Sequence, residues 1–393
     1  MRRRKFPVMN FGLRRSGVST STAVVAVVIS FLVGVGGTYV VTSSLSSGRT
    51  TTVVGTSTVT QTVTSNNSEQ ALYQQALKEG ALTIYGSMDA DQFAVLQNAF
   101  SSQYPGITVN YVSLNPPQAY TRITSELQAQ NYSADLMLSS TPTLYTMELQ
   151  GYIQKYVSPE ASAFPSIALD PLNGTTPMME LSIGWWYDSN LVSSSQVPTT
   201  FAGLSAAQYK GQIELNDPTT GSTYTQYWAA LAGILGNSTV LNFLQTLETN
   251  TSPTVISAFA SCANDVASGT HAFCLGGFMQ DAAPDIQGGA ALKYLPMPNL
   301  PIMVETSNLG IIAHAKDPAA AKLFVDFASS PIGQLTIGNI NVRTPVSRTV
   351  NATWSEVNVI NHFAPGATLA YFPSVSIAQN SQAWGALFKS MGY

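Results

Sequence analysis

Charge is scarce in this chain. Lys and Arg number 17 and Asp and Glu 21, so charged residues make up only 10% of the 393. Six of the basic residues, Arg2, Arg3, Arg4, Lys5, Arg14 and Arg15, precede residue 16, where no acidic residue lies. That leaves 11 basic against 21 acidic residues, a net of −10. With no basic surface to neutralise phosphates, nucleic acid is not an expected partner. Histidine is almost missing: His271, His314 and His362 show no spacing of a zinc site. No phosphate-binding loop and no nucleophile–base pair can be read from the sequence, so no catalytic residue, metal ligand or cofactor is assigned and the chain is not expected to be an enzyme. A surface filled with Ser, Thr, Asn, Gln and Tyr in place of charge suits acidic surroundings.

Cysteine is nearly absent as well. Cys262 and Cys274 pair if the chain is exported to an oxidising exterior, which would add roughly 3 kcal/mol by the chain-entropy argument. Two buried thiols are the alternative.

One stretch has no charge at all. Residues 23–41 are mostly Val, Ile, Ala, Leu, Phe and Gly. As a helix, about 19 residues cross roughly 30 Å of hydrocarbon. The six preceding positive charges keep residues 1–22 in the cytoplasm and send the rest out. A cleaved secretory signal is the competing reading. Arg14-Arg15-Ser16-Gly17 ahead of the run resembles the pilin-like leaders of some archaeal sugar-binding proteins, which implies cleavage after Gly17 with the apolar helix retained. The twin Arg also invites a Tat reading, though the usual apolar residues do not follow it closely. Residues 42–67 form a linker. Of Thr42 to Asn66, 15 of 25 residues are Ser or Thr, too polar to fold alone. Sequons start at Asn66, Asn131, Asn173, Asn237, Asn250 and Asn351, which in an exported chain predicts glycosylation at some of them.

From Ser68 the pattern alternates between helix and strand. Ser68 starts a helix to Leu77; strands follow at 81–85, 107–112 and 134–138. Between them Asp89 caps a helix with Phe93, Leu96 and Phe100 on one face, and a second helix carries Ile123 and Leu127. Thr141-Pro142 opens a helix that ends at Gly151. Strands are expected at 178–187, 213–216, 271–275, 291–295 and 308–313. Helices are expected at 221–235, 240–247, 256–267, 278–286, 317–328, from Pro331, and at 377–389. This alternation predicts an α/β fold with a largely parallel sheet in two units.

These segments resemble the family 1 extracellular solute-binding proteins of ABC importers, many of which go by the name of ferric iron binders. The resemblance rests on residues 81–112 with Tyr104-Pro105-Gly106-Ile107, on Ala134-Asp135-Leu136-Met137-Leu138-Ser139-Ser140, and on Tyr187-Asp188 with Leu191-Val192. It also rests on Pro218, on Gly221-Ser222, and on residues 320–327 followed by Ser330-Pro331 and Gly333-Gln334. It covers about residues 70–348. It implies a type II periplasmic-binding fold: lobe 1 over 68–184 with return at 308–345, lobe 2 over 185–307, and 346–393 packed on the lobes. It further implies a small-molecule solute in the cleft between lobes, and an ABC permease with a cytoplasmic ATPase as partner.

In such folds the cleft lies at the carboxyl ends of strands. The candidate ligand residues are therefore Ser87, Met88, Ser139, Ser140, Thr141, Trp186, Tyr187, Thr220, Ser222, Thr223, Gly277, Phe278 and Glu305. The tyrosine pair of iron-binding relatives falls at about Phe278-Met279, their Glu near Ser140 and their His near residues 86–89. None of these supplies the anionic oxygens a ferric ion needs. Hydroxyls at helix starts favour a small oxyanion, phosphonate or carboxylate, while Trp185, Trp186 and Phe278 favour an organic face such as a sugar or polyamine. Ordinary helix caps and core packing account for the same residues without a ligand. A sensor ectodomain or a structural surface glycoprotein remains the alternative in another class.

Overall fold

The computed structural model describes residues 67–220, 223–256, 261–340, 342–372 and 374–393. The apolar run 23–41, linker residues 42–66, Gly17, Asn66, Gly221 and Ser222 lie outside the described residues, and residue 67, read as the last of the linker, is the first of a helix. Among the described residues no helix is long and apolar enough to cross a membrane.

The chain begins as α1 (Asn67–Glu79), β1 (Ala81–Gly86), α2 (Ala90–Gln103), β2 (Thr108–Ser113), α3 (Pro116–Gln128), β3 (Leu136–Ser140), α4 (Thr141–Leu149) and β4 (Ile153–Gln154). Gly80 ends α1 because its φ of +78° costs a residue without Cβ nothing. In α2 the predicted face is the buried one: Phe93, Leu96 and Phe100 are fully enclosed, each contributing about 1.5–3 kcal/mol. Strands β2, β1 and β3 pair in parallel in that order.

A long strand, β5 (Thr175–Asp188), then carries the chain onward to α5 (Phe201–Leu204), β6 (Ile213–Asn216), α6 (Thr223–Leu235), α7 (Asn237–Thr251) and β7 (Thr254–Ile256). After these come α8 (Ser261–Ala267), β8 (Phe273–Phe278), α9 (Met279–Gln287) and β9 (Leu292–Tyr294). Strands β8, β6 and β7 form a second parallel set. The chain returns through β10 (Ile302–Ile312) to α10 (Pro318–Ser329), α11 (Pro331–Ile337) and β11 (Thr344–Pro345), and closes with α12 (Glu356–Phe363), β12 (Leu369–Tyr371) and α13 (Ser374–Ser390).

The sheet runs β2-β1-β3-β10-β5-β8-β6-β7. Its two parallel sets are joined by β10 and β5, which are antiparallel to each other and to their outer neighbours. The expected parallel character therefore holds within each set, and the two crossing strands break it. Each set has its own core: Leu82, Phe93, Phe100 and Phe324 on one side, Trp185, Tyr227, Trp228 and Phe273 on the other. The lobe boundaries read from sequence, 184/185 and 307/308, fall inside β5 and β10.

Strand β10 starts six residues earlier than expected. Its interior reads Glu305-Thr306-Ser307-Asn308, which looks like a break in an apolar strand. The strand nevertheless pairs on both sides, and its Asn308 is satisfied by neighbouring elements: Asn308 Nδ2 donates to Thr175 Oγ1 at 2.9 Å, and Thr141 Oγ1 donates to Asn308 Oδ1 at 3.0 Å. Ile256, read as the first residue of a helix, ends an edge strand beside β6, and the described helix spans Ser261–Ala267.

The C-terminal residues are fixed by an ion pair as well as by buried apolar side chains such as Val359, Phe363 and Phe388. Arg348 binds buried Glu180 of β5 with two bonds of 2.8 Å, and Tyr371 donates to the same carboxylate at 2.6 Å. Beyond this network α13 packs against both α4 and α6.

Cys262 of α8 and Cys274 of β8 form a disulfide with Cα atoms 5.3 Å apart. Reduction is expected to lower stability by about 3 kcal/mol. Melting curves with and without a phosphine reductant check this; coincident curves would contradict it.

Candidate ligand cleft

The carboxyl ends of both parallel sets open on one space. A cavity of about 300 Å³ is lined by Ser87 after β1, Ser113 at the end of β2, Asn115 ahead of α3 and Ser140 at the end of β3. Facing them are Thr223 at the start of α6, Phe278 at the end of β8, and Gln280 and Asp281 in the first turn of α9. Asp89 ahead of α2, Leu114 and Pro116, Met179 and Leu181 of β5, Glu305 and Ser307 of β10, and Arg343 complete the wall. The helices α4 and α9 start here with no side chain capping their first N–H groups. Such unsatisfied donors, with the helix dipole behind them, favour negative charge in front of them.

Arg343 is the strongest feature of the site. It is only 7% exposed. Its Nε donates to Gln92 Oε1 at 2.8 Å, while the nearest carboxylate oxygen, on the exposed side chain of Asp89, is 3.9 Å from Nη2. The guanidinium thus reaches the cavity with its outer edge unengaged by a close acid. Burial pulls its pKa down, and Asp281 and Asp89 hold it up, so it stays charged. The backbone beside it is unusual: Val342 has φ +53°. A β-branched residue in the left-handed region costs on the order of 1–3 kcal/mol, and strain of this kind gathers at functional sites.

The acids of the cleft are moved toward their neutral forms. Burial pushes Glu305 up to about 8, against the opposing pull of the Ser140 and Thr223 hydroxyls. Those hydroxyls stand close enough to favour its ionised form, yet neither carboxyl oxygen has a fully formed hydrogen bond. Asp281 rises to about 6, also by burial, with Arg343 opposing. At neutral pH the cavity therefore offers one fixed cation, a protonated Glu305, a largely ionised Asp281, the carboxyl of Asp89 at its edge and a ring of hydroxyls. Among the described residues no three His, Cys, Asp or Glu side chains cluster to hold a metal ion.

Of the residues expected from sequence, Ser87, Ser140, Thr223, Phe278 and Glu305 meet in this cavity, and Thr220 lines a neighbouring one. Others are held elsewhere. Trp186 is fully buried against the disulfide, its Nε1 donating to Gly277 O at 3.0 Å. Gly277 is needed there because a Cβ would meet Cys274 Sγ at 2.8 Å and the Trp186 ring at 2.9 Å. Tyr187 belongs to the core around Trp185, and Met88 to the core around Phe93. Ser139 is wholly enclosed, and Thr141 bonds Thr306 and Asn308 inside the sheet.

Arg343, Asp281, Gln280, Asn115 and Ser113 were missed. Arg343 could have been found. After residue 16 the chain has only 11 basic residues, and this one sits in Ile340-Asn341-Val342-Arg343-Thr344-Pro345, a setting too apolar for a solvated side chain.

The profile of a family described as bacterial extracellular solute-binding protein matches residues 86–335, well over half of the chain. The chain belongs to that family. This solute-binding protein is 23% identical over 272 residues to a Haemophilus influenzae protein described only as uncharacterized, covering 67% of this chain and 77% of that one. Its fold is shared with AfuA from Actinobacillus pleuropneumoniae, solved with exogenous fructose-6-phosphate bound (TM-score 0.67, 20% identity, 79% of this chain and 99% of that one). It is shared too with the substrate-binding protein of an ABC transporter from Agrobacterium tumefaciens (0.66, 17%, 78% and 94%) and with iron-bound HitA from Pseudomonas aeruginosa (0.65, 16%, 80% and 99%).

Proposed function

We propose that this solute-binding protein captures a small hydroxylated organic anion, bearing phosphate or carboxylate, and hands it to an ABC permease driven by a cytoplasmic ATPase. The observation that carries this reading is Arg343: a buried guanidinium on the cavity wall with its outer edge open, flanked by uncapped helix starts. Serine, threonine and amide groups, with Asp281 and protonated Glu305, suit the hydroxyls of such a solute. AfuA, which has the same fold and holds fructose-6-phosphate, supports a ligand of this class. Bare ferric iron fits this set poorly, because Glu305 is protonated and Arg343 puts a fixed positive charge beside Asp281 and Asp89.

The test is a thermal-shift panel of hexose phosphates, sugar acids, inorganic phosphate, ferric citrate and polyamines. A ligand at 100 times its Kd adds roughly 2.7 kcal/mol. The expected hits are the organic anions. A polyamine hit would place Asp281 and Asp89, rather than Arg343, at the centre of recognition.

The apolar run 23–41 serves in this reading as a retained anchor, with the binding domain outside the cell and the linker as tether. Asn131, Asn173, Asn237 and Asn351 are exposed and open to glycans. Asn250 is exposed too, but its Nδ2 donates to Ser205 O at 3.1 Å. The mature protein is expected in the membrane fraction after carbonate washing, with its N-terminus ahead of residue 23. A soluble protein starting beyond residue 41 would contradict the anchor.

A further inference from the structure

We infer that the cleft continues past Pro116 and Thr223 into a second subsite, which takes the uncharged sugar end of an extended solute such as a phosphorylated disaccharide. This rests on the reading of the first cavity as the anion site. A second cavity of about 270 Å³ shares Pro116 and Thr223 with the first. It lies between α3 and α4 on one side and α6 and α13 on the other. Helix α13 is held there by packing on α4 and α6 and by burial of Phe388.

The chemistry of its lining differs from that of the first cavity. Among the described residues that line it, none is charged. Ammonium groups and free anions therefore find no opposite charge among them. Amides and rings are what it offers: Gln150, Gln226, Gln382, Tyr120, Pro117 and Pro142. Flat apolar ring faces beside amide donors and acceptors match a sugar, whose C–H face is apolar and whose rim is hydroxyl.

The deciding group is Gln226. It is 3% exposed, and its Oε1 has no hydrogen-bond partner. The oxygen is closed off from the cavity that the residue lines, and buried acceptors in folded proteins are almost always satisfied, so turning the amide toward the cavity lets a ligand hydroxyl donate to it. Tyr120 OH donates to Gln150 Oε1 at 2.9 Å, which occupies that oxygen and leaves the Gln150 amide nitrogen to donate. With the Gln226 amide turned inward, the wall presents an acceptor from one side and a donor from the other.

Titration calorimetry with fructose 6-phosphate and trehalose 6-phosphate tests the inference. The wild-type protein is expected to bind the disaccharide phosphate at least tenfold more tightly. Gln226→Leu should remove that advantage while leaving the hexose phosphate within twofold. Gln382→Ala, at an exposed position on α13, should reduce the disaccharide affinity at least threefold, and it carries the test if Gln226→Leu misfolds. Equal binding of the two probes, or variants that leave their ratio unchanged, would overturn the second subsite while the anion site stands. Binding of neither phosphorylated sugar would overturn the second subsite and the phosphate form of the anion reading.

Discussion

Replacing Arg343 with alanine weakens binding of a phosphate- or carboxylate-bearing solute at least 100-fold, and Arg343→Lys restores only part of the loss. Hydrogen bonds to a charged group are worth about 1.5–3 kcal/mol each. A guanidinium engages a carboxylate or phosphate with two at once, in a geometry lysine does not reproduce. The loss of one such pair exceeds the roughly 2.8 kcal/mol that 100-fold represents. The variant should stay folded. Removing the guanidinium leaves Asp281 without its cation, but that acid already titrates near 6 and can take up a proton instead of remaining a buried charge. Calorimetry of the two variants beside melting curves separates lost binding from lost structure. An affinity within threefold of wild type for Arg343→Ala would remove the anion site from the account.

The second large effect concerns pH: the protein is expected to gain stability as the medium is acidified from pH 8 to about 5. Glu305 and Glu214 are raised to about 8 and Glu148 to about 7, in each case chiefly by burial. Asp265 beside Glu214 and Asp170 beside Glu148 add to the rise. A carboxyl whose folded pKa lies above its unfolded value binds its proton more tightly in the folded chain. Its contribution is complete below the unfolded value of 4.5 and is lost as pH climbs through the folded one. Glu160, Asp285 and Asp326 are raised in the same direction. His271, 3.1 Å from Glu214, is lowered by burial and works the other way below about 6.5. A tenfold change in proton affinity is worth about 1.4 kcal/mol. After discount for the partly exposed groups, on the order of 3 kcal/mol remains between pH 8 and 5, or roughly 5 °C or more in Tm. The pair Glu214→Gln and Glu305→Gln should flatten the profile. A melting temperature that falls between pH 7 and 5 would contradict this account of the buried acids. The same trend gives the scarcity of surface charge a physical sense, since little is lost when carboxylates are neutralised.

What could be read from the sequence follows from periodicity. The helix face of Phe93, Leu96 and Phe100 and the strands at 81–85 and 213–216 repeat with the periods of their elements, so they were legible without tertiary context. The candidate site was legible only as far as its rule reaches. Residues just after strands face the cleft end of the sheet, and so Ser87, Ser140 and Phe278 line it. That rule says nothing of which face of a strand a side chain takes, and a one-residue step reverses it. Ser139 was lost for that reason, and Trp186 because β5 runs antiparallel to β8, so that its carboxyl end lies away from the cleft. Glu305 lies inside a strand whose polar run breaks the apolar pattern, and only pairing across the sheet shows that strand to be continuous. Arg343 comes from a turn far along the chain. Nothing local joins it to β3 or β8; only the return of the chain through β10 and α11 brings it there.

The most direct measurement is native mass spectrometry of the protein purified from its own membrane, with the bound solute released and identified. The account predicts a hydroxylated organic phosphate or carboxylate, retained by the wild-type protein and absent from Arg343→Ala. Ferric iron, or an amine kept equally by both proteins, would contradict it.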